Sequence, residues 1–126
     1  MIFGIGTDIV RITRMQENIE KFGDKFAERI LSEEELKEYH NYSEPSRLLA
    51  KRFAAKEAAS KAMGTGFRNG ISLKQIFITH NELGKPLLNF SEDAKDFLQQ
   101  HGVSESHVSI SDEQDYAVAY VTLVKG

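Results

Sequence analysis

Cysteine is absent from all 126 residues of the chain. That single absence excludes a disulfide framework, thiolate-bound metals and a cysteine nucleophile. Long apolar runs are missing as well: no segment approaches the roughly 18 residues that a membrane span needs. The first residues enter a strand-like pattern directly, without the basic-then-apolar form of a secretory leader, so a cytoplasmic protein without membrane attachment is expected. Nor is there an excess of positive charge. Lysine and arginine number 16 against 19 aspartate and glutamate, a formal net charge of −3. Phosphate neutralisation needs a basic face, so this balance argues against a dedicated nucleic-acid binder while leaving room for local basic patches. The sequence also lacks a His/Cys zinc cluster, a Gly-x-Ser-x-Gly elbow and a Walker-type phosphate loop. His40, His80, His101 and His107 lie at no metal-ligand spacing.

What is present, 40% hydrophobic and 28% charged residues, is the composition of one globular domain, taken as residues 1–126. Met1 to Val10 reads as a buried strand, in which Gly4 and Gly6 let a neighbour come near. Its one charge, Asp8, is costly inside an apolar run unless it is paired or holds a cation. Capping the following helix is the structural alternative. From Arg11 to Leu31 apolar residues recur at helical spacings, and Gly23-Asp24 divides this stretch into two helices. Ser32 and Glu35 have the form of a capping box opening a short helix. Pro45 suits the first turn of a long helix that ends at Gly64-Thr-Gly66. Beyond it come a loop at Asn69-Gly70, a strand from Gln75 to Thr79, a turn at Asn81 to Gly84, a strand from Leu87 to Phe90 and a helix from Glu92 to Gln100.

The last two strands span His107 to Ser111 and Tyr116 to Val124. In the final one Ala117, Ala119, Val121 and Leu123 share one face, and Tyr116, Val118, Tyr120, Thr122 and Val124 the other. A helix can cover one of these largely apolar faces, and a second subunit is the candidate for the other. The expected architecture is α+β: a small antiparallel sheet packed against one long helix, with short helices at its periphery.

The chemistry concentrates on the second half of the long helix, Arg52-Phe-Ala-Ala-Lys-Glu-Ala-Ala-Ser-Lys-Ala-Met-Gly-Thr-Gly66. Helical spacing puts Glu57 and Lys61 one turn apart on one face, and Arg52 and Lys56 form a neighbouring pair. Ala54, Ala55, Ala58, Ala59 and Ala62 leave a surface thin enough for close packing. One carboxylate among cations, with Asp8 elsewhere in the chain, matches a magnesium–phosphate site. Magnesium takes one or two carboxylates, keeps waters and completes its octahedron with substrate phosphate oxygens. Lysine and arginine beside it stabilise phosphate charge that shifts during reaction. An ordinary solvated helix face is the competing reading.

Gly4-Ile-Gly-Thr-Asp8-Ile-Val and the stretch from Arg52 to Gly66 resemble the two signature motifs of the phosphopantetheinyl transferases. The short chain and its Gly84-Lys85-Pro86 turn resemble the small class of that family, and the likeness runs from the first strand to the last. It implies transfer of the 4′-phosphopantetheine arm of coenzyme A to a serine of apo acyl carrier protein, releasing adenosine 3′,5′-bisphosphate and supporting fatty acid biosynthesis. It further implies Asp8 and Glu57 as magnesium ligands, with Lys61 completing the catalytic set through contact with the pyrophosphate or the leaving phosphate. Arg52, Gly84, Lys85 and Pro86, together with Lys61, match positions that hold coenzyme A. Arg14, Lys25, Phe26 and Arg29 fall where the family docks its acidic carrier, Phe26 as an apolar anchor and the cations as readers of the acidic helix. Members of this class form homotrimers with active sites between subunits.

In one place the chain departs from the pattern. Many relatives end the penultimate strand with a histidine near the coenzyme A phosphates, where this chain has Asp112. A carboxylate there would repel a phosphate unless a cation intervenes, so His107 and Asp112 stay outside the expected site. The group that removes the serine proton is left open, as is the choice between magnesium and manganese. The alternative from a different class is a non-catalytic oligomeric module that binds an acidic partner through its basic N-terminal helix, indifferent to magnesium and coenzyme A.

Overall fold

In the computed structural model, which describes Met1 to Gly126, strand β1 (Ile2–Arg11) lies directly beneath helix α4 (Pro45–Met63). The period-two alternation of a strand turns Gly4, Gly6, Asp8 and Val10 towards the helix and Ile5, Thr7 and Ile9 away from it. Both glycines are required by the approach: a Cβ on Gly4 would overlap the carbonyl of Ala62, and one on Gly6 that of Ala58. The helix meets the strand with alanines, and Ala54, Ala55, Ala58, Ala59 and Ala62 are all buried. Alanine is the strongest helix former and has no bulk to hold two backbones apart, so helix stability and close packing use the same residues. Pro45 begins α4 where its missing N–H costs nothing. Gly64 ends it in the left-handed conformation, φ 81°, its N–H donating to the carbonyls of Ser60 and Lys61.

β1 pairs antiparallel with β5 (Tyr116–Lys125), which pairs antiparallel with β4 (Val103–Asp112), and Asp8 sits opposite Ala119. Ala117, Ala119, Val121 and Leu123 of β5 point inward and are fully buried. The outward face of β5 keeps the apolar residues expected of it, with Val118 36% and Tyr120 45% exposed. β1, expected to be buried, is instead covered by α4 on one face alone and leaves Ile5 56% and Ile9 62% exposed. β4 starts earlier than the expected His107, because Ser104, Glu105 and Ser106 conceal a strand that needs only backbone pairing with β5. A separate antiparallel hairpin, β2 (Ile76–His80) and β3 (Pro86–Phe90), stands beside this sheet. In its turn the Asn81 Oδ1 accepts from the N–H groups of Leu83 and Lys85, both at 2.9 Å. Helix α5 (Glu92–Gln100) connects the hairpin to β4.

Three short helices precede α4. α1 (Ile12–Phe22) and α2 (Asp24–Ile30) are divided at Gly23, as expected, where φ is 65°. The structural alternative for Asp8 does not hold, since the residue capping α1 is Arg11 and no side chain bonds there. α3 (Glu33–His40) opens on the expected capping box, Glu35 N–H donating to Ser32 Oγ and Ser32 N–H to Glu35 Oε1. Glu35 does more than cap. It is buried, accepts from Lys56 Nζ of α4 at 2.7 Å and from the N–H of Ile78 in β2 at 3.0 Å. Lys56, 0% exposed, also donates to the carbonyls of Leu73 and Ile76. Burial pushes its pKa down while the Glu35 charge opposes the shift. Lys56 therefore belongs to the core and not to the field of cations that the helix spacing suggested. No helix is long and apolar enough to cross a membrane.

The glycine contact carries a stability prediction. Gly6→Ala inserts a methyl group against the α4 backbone, where no flexible side chain can yield, and should cost about 3 kcal/mol, the upper range for overpacking. Urea unfolding measures it, and a midpoint within error of the parent's would refute the account of β1 and α4 as a backbone contact.

Candidate active site

Register alone brings the predicted residues together. Ala62 covers Gly4 and Ala58 covers Gly6, so the next step along both elements sets Asp8 at the level of Ala54, within the turn before Glu57, and the long side chain of Lys61 reaches back to it. Lys61 Nζ donates to Asp8 Oδ1 at 3.1 Å and to the Thr7 carbonyl at 2.9 Å. The Glu57 carboxyl is pushed above its ordinary value, first by partial burial and then by the charge of Asp8, with Lys61 and Arg14 acting in the opposite direction. Arg14, assigned to carrier docking from its position in α1, thus also faces this carboxylate, with its guanidinium 5.5 Å from the Phe53 ring centroid.

No cluster of three or more His, Cys, Asp or Glu side chains exists that could enclose a metal. Zinc, which takes three or four protein ligands, does not fit. Two mutually repelling carboxylates at a half-open surface do fit magnesium, which is content with one or two and leaves positions for water and phosphate. The lysine beside them reduces the repulsion in the metal-free state.

Towards the other end of α4, Lys51 and Arg52 face the hairpin turn across a cleft also lined by His80, Gly84, Pro86 and Asp112. Three of the expected coenzyme A residues, Arg52, Gly84 and Pro86, therefore share one cleft. Lys85 stands exposed in the same turn without lining it. Arg52 is 3% exposed, its Nη2 donating to Glu38 Oε1 of α3 at 2.8 Å, while its buried Nε has no partner. Burial and then the Arg52 charge push the His80 imidazole below its ordinary pKa, towards the neutral form. Asp112 meets the cation that the sequence could not name: Arg47 Nη1 donates to its Oδ2 at 2.8 Å.

On α2, Lys25 and Arg29 are exposed and Phe26 is half-buried, stacked on Phe22 with ring centroids 6.5 Å apart. Phe22 is the more open of the two rings, 49% exposed. Of the residues that sequence reasoning missed, Glu35 and Glu38 carried a signal: their spacing of three on α3 matches Lys56 and Arg52, spaced by four on α4. The pairing of Arg47 with Asp112, 65 residues apart, carried none.

The 4′-phosphopantetheinyl transferase superfamily profile matches residues 4–121. The chain belongs to that superfamily. Within it, sequence and fold group the chain with the holo-[acyl-carrier-protein] synthases, and it is a transferase of their kind. A holo-[acyl-carrier-protein] synthase of Hamiltonella defensa is 53% identical over 125 residues, covering 99% of this chain and 98% of the relative. The crystal structure of the Neisseria meningitidis holo-[acyl-carrier-protein] synthase superposes with a TM-score of 0.94 at 46% identity, over 99% of this chain and 100% of that one. The Bacillus anthracis synthase in complex with CoA (3′,5′-ADP) superposes with a TM-score of 0.80 at 40% identity, covering 100% and 99% of the two chains.

The raised pKa of Glu57 has a thermodynamic consequence for this transferase. Between its ordinary 4.5 and its higher folded value the native state binds more protons than the unfolded chain. Its contribution to stability therefore falls as pH rises through that interval and stays unfavourable above it. Glu57→Gln removes the charge. At neutral pH with EDTA its Tm should equal or exceed the parent's, and added magnesium should raise the parent's Tm but not the variant's. A fall of several degrees in EDTA would instead mark Glu57 as a structural residue.

Proposed function

We propose that the chain transfers the 4′-phosphopantetheine group of coenzyme A to a serine of apo acyl carrier protein in a magnesium-dependent reaction, releasing adenosine 3′,5′-bisphosphate, and serves fatty acid biosynthesis in the cytoplasm. The observation that carries this reading is the convergence of Asp8, Glu57 and Lys61 between β1 and α4. Asp8 and Glu57 are the ligands that would hold the cation. The bound cation supplies charge neutralisation and orientation of the pyrophosphate. Lys61, whose ammonium contacts Asp8, would stabilise negative charge developing on the departing phosphate. The serine oxygen forms its bond to the pantetheine-bearing phosphorus as the bond from that phosphorus to the bridging oxygen breaks, and the serine proton leaves to a base. Arg52, Gly84 and Pro86 line the cleft proposed for the nucleotide end of coenzyme A, with Lys85 at its rim.

The exposed cations Lys25 and Arg29, with Phe26 and Arg14, form the proposed docking face for the acidic carrier. Arg14 belongs to both regions, because it also faces Glu57. The bare outer face of β1 and β5, with Ile5, Ile9, Val118 and Tyr120, supports assembly into a homotrimer with active sites between subunits.

Two measurements test the proposal. Mass spectrometry of apo acyl carrier protein incubated with the chain, coenzyme A and magnesium should show addition of one phosphopantetheine. Asp8→Asn and Glu57→Gln should each lower kcat/KM by at least about 100-fold, as loss of a preorganised electrostatic group does; near-parental turnover in either would remove the site. Separately, Lys25→Glu with Arg29→Glu should raise KM for the carrier about tenfold, less so at high salt. KM for coenzyme A should stay unchanged, and an equal rise in both constants would contradict a docking role.

A further inference from the structure

Asp112 stands in a cleft that is otherwise built for an anion. Lys51, on the same wall as Arg52, has no carboxylate partner, and its ammonium lies over the Tyr42 ring, 5.7 Å from the centroid. The Nε of Arg52 is buried and unpaired. His80 is held towards its neutral form, and Glu38 is engaged by Arg52. A free carboxylate at 112 would cancel the remaining positive charge of Lys51.

That carboxylate is not free. Arg47, one turn before Lys51 on α4, donates from Nη1 to Asp112 Oδ2 at 2.8 Å and to the Glu113 carbonyl at 2.7 Å. Its Nη2 donates to the Gln114 carbonyl at 3.3 Å and its Nε to Glu44 Oε1 at 3.4 Å. Four acceptors hold the guanidinium behind Asp112, and Arg47 is not among the residues lining the cleft. The guanidinium is charged at any physiological pH, and the hydrogen bond to Asp112 is the first of the influences that raise its pKa further. With Arg47 in place the group formed by Lys51, Arg52, Glu38, Asp112, Arg47 and its other partner Glu44 is neutral; without Arg47 it carries one net negative charge.

We propose that Arg47 determines nucleotide specificity in this transferase: by neutralising Asp112 from behind, it lets the cleft accept the 3′-phosphate of coenzyme A. The inference rests on the reading of this cleft as the nucleotide end of the coenzyme A site. Arg47 is a positioning residue, acting on the ligand through Asp112.

Calorimetric binding of adenosine 3′,5′-bisphosphate and of adenosine 5′-monophosphate, in EDTA, tests it independently of turnover. The parent should prefer the bisphosphate. Arg47→Met should weaken bisphosphate binding about tenfold, the scale of one uncompensated charge near the site, and leave monophosphate binding within about twofold. Asp112→Asn should bind the bisphosphate as well as the parent or better. The double variant, which also lacks the backbone bonds of Arg47, should return to within about threefold of the parent. Equal weakening of both nucleotides in Arg47→Met overturns the proposal, as does a double variant no better than the single one. If Arg47→Met fails to fold, Asp112→Asn decides alone, since a loss of bisphosphate affinity there overturns the proposal. A parent with no bisphosphate preference defeats both this inference and the pocket reading beneath it. Failure of phosphopantetheine transfer with the nucleotide pattern intact would count against the proposed reaction and leave the role of Arg47 standing.

Discussion

Gly4 and Gly6 interpose no side chain between β1 and the carbonyl groups of Ala62 and Ala58, and the resulting backbone contact sets where every charged residue of α4 ends up. A helix held at normal distance by large side chains could slide or rotate while repacking. One seated on glycines has little freedom to do either, because backbone atoms cannot change rotamer. Asp8 is the next inward residue of β1 after the two glycines, within a turn of Glu57 along the helix and in reach of the long side chain of Lys61. The carboxylate pair is thus a product of register. Partial burial and then the repulsion from Asp8 raise the pKa of Glu57, and this is tolerated because the neighbouring contacts leave the two side chains nowhere else to be built from.

Four charged residues within ten positions of α4 have two different fates. Lys56 and Arg52 turn inward and meet Glu35 and Glu38 of α3. Glu57 and Lys61 turn towards β1 and the surface. Removing charge from water is costly, and a buried pair stabilises a fold only when further hydrogen bonds complete it. Glu35 and Lys56 satisfy that condition with the N–H of Ile78 and the carbonyls of Leu73 and Ile76. The same bonds tether β2, and through it the hairpin turn, to the helix.

That tether makes α4 a ruler between the two ends of the proposed site. Arg52 and Lys61 are separated by about 13 Å of helical rise, at 1.5 Å per residue, with the proposed nucleotide cleft at one end and the carboxylates at the other. An elongated dianionic ligand laid along the helix would meet cations at both ends. The cleft end is the more delicate, because its charge balance depends on Arg47 cancelling Asp112.

Much of the fold was legible in order along the chain. The alternation in β5, the break at Gly23, the capping box at Ser32 and the limits of α4 are local signals, produced by residues within a few positions of each other. Asp8, Glu57 and Lys61 were legible as a candidate site because their residue types and motif settings resemble a known family, and the close approach that joins them was written in two glycines and a row of alanines. The polar start of β4 was not legible, since strand pairing there depends on β5 and not on its own side chains. By itself, then, the sequence determined which residues could hold a cation, where the helices begin and end, and which faces are apolar, because propensity, periodicity and capping act over short spans. Only the tertiary structure decided that Lys56 is buried, that Arg14 faces Glu57 and that Arg47 neutralises Asp112, because the energy of a charge is set by the partners and solvent around it, and those come from segments distant in the chain.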